Sequence, residues 1–226
     1  MTPRTAWRGC AAAGIVAFIC SWSFGRIPGL VACGPTGGLQ PIIAFEFART
    51  PADIAALFGS EPCTSTLVAA QKTGLLLDGL GFIPAYTAFL ILAVIAAGVG
   101  SRVKWPLIAA FAIAALSDEI EGVLLHGILG ALPGSPDQIA AMSWAVHVKF
   151  ALLALGTSVI ATLLPKERWP ARIVRVAIIL GGFGALLGLV SRAPGVMMLG
   201  FTIAWVVLLL TALIASFWPR VFSTGS

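Results

Sequence analysis

Runs of about 20 apolar residues recur from one end of the chain to the other, separated by short stretches where charge, proline and glycine collect. In water such runs have nowhere to hide, whereas in a bilayer a helix of that length crosses a hydrocarbon core about 30 Å thick. Only helices and closed barrels satisfy every backbone group in lipid. Unbroken apolar runs fit the helix and not the alternating barrel strand. Only 10% of the 226 residues are charged and 59% are hydrophobic, so no segment is polar enough to form a soluble domain of similar size. The expected fold class is therefore all-α, a single polytopic transmembrane helix bundle over residues 1–226 with about six spans.

Charge, Pro and Gly bound the spans at about 8–32, 72–100, 105–132, 139–164, 173–191 and 195–218, leaving one long loop at 33–71. The first segment has the basic start and apolar middle of a signal peptide. It has no clean small-x-small cleavage site and is read as a retained helix. The net charge of +5 is spread over short clusters with no basic stripe, which argues against nucleic acid and for membrane topology. Arg4, Arg8, Arg102, Lys104, Lys166, Arg168, Arg172, Arg175 and Arg220 fall on one side. The other side carries Arg49 and Arg192 with Glu46, Asp53, Glu61 and Asp137. By the positive-inside rule both termini are cytoplasmic and the 33–71 loop is outside.

Within that loop "RTPADIAALFG" is a strong helix signal. Thr50 is the N-cap, Pro51 opens the helix, Asp53 lies in the first turn and Gly59 ends it. Ile54, Leu57 and Phe58 fall on one face, as in an amphipathic helix lying on a surface. Cys33 and Cys63 flank the loop in what would be an oxidising compartment, and a disulfide between them would close it. The alternative is that they are unpaired small apolar residues, like Cys10 and Cys20 in the first span.

The costliest feature is "LSDEIEGVLLH", residues 116–126, which places three acids and a histidine inside the third span. With about 100° per residue and Glu121 as origin, Asp118 falls at about 60°, His126 at about 140° and Glu119 at about 160°. The opposite half of the helix is nearly all apolar. Asp118, Glu121 and His126 are thus expected to turn inward, with Glu119 supporting His126 at the edge of the arc. Asp78 in the second span and His147 in the fourth lie at similar depth. Lys149 is about 200° from His147 and cannot point the same way, and it is too deep to snorkel easily, so a paired lysine is favoured. Arg26 is a second possible counter-ion.

These residues allow several chemistries. Asp118 and Glu121 are the candidate proton-handling acids, His147 or His126 the imidazole partner, and Asp78 a third wall. Asp78, Asp118, Glu121, His126 and His147 would also suit iron, manganese or zinc by ligand type, although no Glu-x-x-His pair is present. The matched depth of the histidines permits haem. No cofactor is singled out, and there is no Walker loop, GxSxG or HExxH motif.

Four stretches, "FEFARTPADIAALFG", "LLLDGLGFIPAY", "DEIEG" and "KFALLAL", together resemble a largely uncharacterised family of small bacterial multi-pass inner-membrane proteins. The resemblance covers roughly residues 45–155. It implies Glu46, Asp78, Asp118, Glu121 and Lys149 as the polar positions, and departs at Gly122, where the family pattern has Asn. It brings no activity with it. The leading expectation is an outward-facing intramembrane pocket that binds, and at its acids transforms, a lipid-like or small amphiphilic molecule. The alternatives are a non-catalytic subunit of a larger membrane complex and a proton-coupled carrier.

Overall fold

The computed structural model describes residues 2–98, 100–165 and 169–218, so Lys166, Arg168 and Arg220 lie outside the described residues. Helices α1 (Pro3–Phe24), α2 (Pro41–Glu46), α3 (Pro51–Phe58) and α4 (Cys63–Leu77) come first. A π-type turn, Asp78–Phe82, then joins α4 without a break to α5 (Ile83–Ala96). Helices α6 (Ser101–Gly130), α7 (Pro136–Leu163), α8 (Trp169–Val190) and α9 (Pro194–Phe217) follow, and no strand occurs among the described residues.

Five described helices are long and apolar enough to cross a membrane: α1, the continuous Cys63–Ala96 rod, α7, α8 and α9. Helix α6 has 30 residues, about 45 Å at 1.5 Å per residue, but the acids Asp118, Glu119 and Glu121 keep it out of that apolar set. The chain is an integral membrane protein, and its exposed large side chains bear this out. Leu180, Phe183, Leu187 and Val190 on α8 and Leu199, Ile203 and Leu210 on α9 face outward, where water would penalise them and lipid does not.

Two span boundaries differ from expectation. Helix α1 ends at Phe24 and not near 32, because Gly25, Pro28 and Gly29 (φ +77°) turn the chain while it is still apolar. Helix α4 begins at Cys63 and not near 72. Its first turns are too polar to read as membrane, yet they are helical, with the Thr66 and Thr73 hydroxyls donating to the carbonyls of Pro62 and Ala69.

The residues divide into two units. One comprises Met1–Ala17, Ala85–Ala114 and Phe150–Ser226. Its tightest seam is α8 against α9, where glycine is obligatory. A Cβ at Gly188 would collide with the backbone of Met197, and one at Gly200 with the backbone of Ala185. Small residues replace the hydrophobic effect as the basis of helix association in lipid by letting backbones approach. Trp205 sits in the aromatic core of this unit beside Tyr86, Phe89 and Phe201, and donates its indole N–H to Thr157 Oγ1 at 3.2 Å.

The second unit comprises Phe18–Pro84 and Ala115–Lys149 and contains the long loop. Helix α3 carries a complete capping box. The Asp53 N–H donates to Thr50 Oγ1, and Asp53 Oδ2 accepts from the N–H groups of Thr50 and Arg49 at 2.9 and 3.0 Å. Those donors, the Arg49 N–H foremost, hold the Asp53 carboxyl below the usual carboxylate range. Phe45 of α2 meets Phe58 of α3 edge to face at 5.1 Å, and Cys33 is disulfide-bonded to Cys63 with 5.8 Å between their Cα atoms. The loop is therefore a packed substructure stapled to the start of α4.

Candidate functional site

Helix α7 buries Ile139, Met142, Val146, Lys149 and Leu153, spaced three or four residues apart along one stripe. A lysine in such a stripe has no route to water and must find its partners inside. Lys149 Nζ lies 2.6 Å from Glu121 Oε2, 2.8 Å from Asp118 Oδ1 and 3.4 Å from Glu46 Oε2. The four side chains are between 2% and 7% exposed, so the centre is sealed within the second unit.

Each acid arrives for a local reason. Helix α6 buries Ala114, Asp118, Glu121, Leu125 and Ile128, again at helical spacing, so both acids lie in the middle of its inward stripe. Glu46 is the last residue of α2, whose buried face is Ile42, Phe45 and Glu46. Gly74 on α4 lets that helix settle, because a Cβ there would come within 2.8 Å of Ile42 Cδ1. The loop thus delivers a third carboxylate to a lysine that two membrane helices already surround.

The charges do not balance. Three carboxylates face one ammonium, and Asp78 at the start of the π turn lies within electrostatic reach of Asp118, Lys149 and Glu46. Burial pushes the Glu46 carboxyl above its ordinary value. Lys149 opposes this by attraction, Asp118 adds to it by repulsion, and a hydrogen bond to Glu121 works against it. Around Lys149 the centre thus gathers more acid than base.

The histidines are not part of it, and the expectation that they turn inward is corrected. His126 and His147 are both exposed, and His147 Nδ1 donates to the Ser143 carbonyl of its own helix at 2.6 Å. The inward stripe of α6 centres near Glu121 and is narrower than the ionisable arc, so His126, about 140° away, falls outside it. Glu119 is likewise exposed. Its carboxylate lies over Gly79 of the π turn, where a Cβ would stand 3.4 Å from Oε2. The supporting pair expected between Glu119 and His126 is not among the hydrogen bonds and ion pairs of the described residues. Arg26, the other possible counter-ion, is exposed and stacks its guanidinium on Trp22 at 4.3 Å.

No group of three or more His, Cys, Asp or Glu among the described residues is arranged to hold a metal ion. Gln71 lies on the same side of its helix as Asp78 but was not among the expected site residues. It is 1% exposed on α4, and neither side-chain polar atom has a partner among the described residues. Its place on the helix face that also carries Asp78, seven residues on, was the available signal.

No family model, curated protein or solved structure matches the chain. The arrangement must therefore be interpreted from its own chemistry.

Proposed function

We propose that this membrane protein binds the polar end of a lipid-like or small amphiphilic molecule beside the acid–lysine centre, whose acids take up or release a proton as it binds. In this reading the long loop covers the centre on the outer face of a bacterial inner membrane, and both termini are cytoplasmic. Asp118 and Glu121 are the proton-handling acids, Lys149 fixes their position, and Glu46 brings the cover to the site. Asp78, half-buried at the π turn, forms the wall beside them.

The surplus of acid over base around Lys149 carries this reading. A lysine that merely pinned helices together would need one carboxylate. Every further buried acid adds a desolvation cost of several kcal/mol unless it holds a proton or meets a cation. Ionisable groups kept inside a membrane bundle at that cost are characteristic of proton and ligand pathways. The π turn at Asp78 adds support, since such turns inside α-helices frequently fall at functional positions.

The test is native mass spectrometry of the protein in nanodiscs, with acid titration of the bound and stripped forms. Wild type is expected to retain an amphiphile and to change its proton uptake when stripped. Asp118→Asn and Glu121→Gln should stay folded and lose both properties. An empty wild type, or unchanged retention in both variants, overturns the proposal.

A second reading, a non-catalytic subunit of a membrane complex, is favoured by one observation. Glu119, His126 and His147 are exposed on membrane helices, where a protein neighbour would shelter them better than lipid. A stoichiometric partner in mild-detergent purification supports this reading, and a monodisperse single species rejects it.

A further inference from the structure

Gln71 is the most poorly accommodated polar group in the second unit. It is 1% exposed, and both Oε1 and Nε2 lack a partner among the described residues, so the deficit is the same whichever way the amide is turned. A buried amide without hydrogen bonds is disfavoured, and in a folded protein such a group marks a place where something else binds.

Its position narrows what that is. Helix α4 buries Leu67, Ala70, Gln71 and Gly74 along one face, and Asp78 follows seven residues after Gln71, two helical turns further in. Gln71 lies eight residues from Cys63, about 12 Å from the loop end of the rod.

Gln71 supplies one acceptor and two donors in a fixed plane. Its complement is an uncharged group that donates and accepts together. An anionic head is repelled by Glu46, Asp118, Glu121 and Asp78, and a cationic head is drawn past the neutral amide to those acids. We infer that Gln71 is a specificity-determining binding residue that selects amphiphiles with an uncharged amide or hydroxyl head. This rests on the reading of the acid–lysine centre as a ligand site and names its ligand class.

Four probes sharing one alkyl chain, with a primary amide, alcohol, amine or carboxylate head, are titrated against the full-length protein in nanodiscs by native mass spectrometry. Wild type is expected to bind the amide and alcohol at least tenfold more tightly than the carboxylate, and to bind the amine through the acids without help from Gln71. Gln71→Met, which keeps the volume and removes both polar atoms, should abolish that preference while leaving amine binding and the melting temperature at the wild-type level or above. Gln71→Asn, which keeps the amide but withdraws it, should lose part of the preference. Unchanged amide binding in Gln71→Met, or a wild type that binds the carboxylate as tightly as the amide, overturns the inference. Gain of stability in Gln71→Met with no head preference in wild type would mean that the amide holds water only, and also overturns it. If amine binding depends on Asp118 but nothing depends on Gln71, only this inference falls. If no probe binds wild type, the acid–lysine reading falls with it.

Discussion

Lys149→Met is the sharpest test of the centre, because methionine matches the length of the lysine stem and removes only the ammonium. Glu121, Asp118 and Glu46 then face one another with no cation, in a setting where their side chains are at most 7% exposed. Removing one partner of a buried ion pair costs about 3–5 kcal/mol, chiefly because it leaves the other charge uncompensated. Here two contacts below 3 Å vanish together with the 3.4 Å contact to Glu46. The loss should therefore reach the upper end, about 5 kcal/mol, tempered by proton uptake by the orphaned acids. Against a typical stability of about 5–15 kcal/mol, that is a third of the total or more. The assay is equilibrium unfolding in mixed micelles, followed by circular dichroism. The decisive comparison is the triple variant Lys149→Met, Asp118→Asn, Glu121→Gln. With Lys149, Asp118 and Glu121 all replaced by uncharged side chains it should regain most of the loss. A single variant as stable as wild type, or a triple variant no better than the single, would refute the argument that uncompensated buried charge governs this site.

Other outcomes follow from neighbouring features. Glu46→Gln should flatten the pH dependence of stability. The folded carboxyl titrates above its unfolded value, so its contribution is full below the unfolded value and lost as pH rises through the folded one. Unfolding midpoints across that range check this. Thr50→Ala should cost about 1 kcal/mol and raise amide exchange selectively in α3. Gly188→Ala should force α8 from α9 and cost about 1–3 kcal/mol by overpacking, whereas Gly195→Ala, whose Cβ would meet nothing within 4 Å, should be close to neutral in the same melts.

The membrane helices were legible because hydropathy and length decide them almost alone. Helix α3 was legible because Thr50, Pro51, Asp53 and Gly59 spell out both its ends. The boundaries that failed, at Phe24 and Cys63, are places where helix and hydrocarbon part company: an apolar stretch that is not helical, and a polar one that is. In the site, Asp118, Glu121 and Lys149 could be placed because a helical wheel gives azimuth within one helix. The 200° between His147 and Lys149 correctly required one of them to face away. Depth alone could not say which, and equal depth made the two histidines look like partners when both face outward. The helix face of Gln71 could be read, but neither its burial nor the role of α2 could, since both depend on how the loop folds back over α4.

The π turn at Asp78–Phe82 has a consequence for how the long rod is interpreted. On a single ideal wheel the buried stripe of α4, Leu67, Ala70 and Gly74, and that of α5, Tyr86, Phe89 and Ala93, stand about 100° out of phase. One extra residue in a helix amounts to that same rotation, and a single π turn accommodates one extra residue. The Cys63–Ala96 rod behaves as a regular membrane helix into which one residue has been inserted. Shortening the glycine-bearing turn by one residue would return the sequence to a single α-helical period while erasing the bulge at Asp78, which makes the bulge separable from the periodicity that carries it.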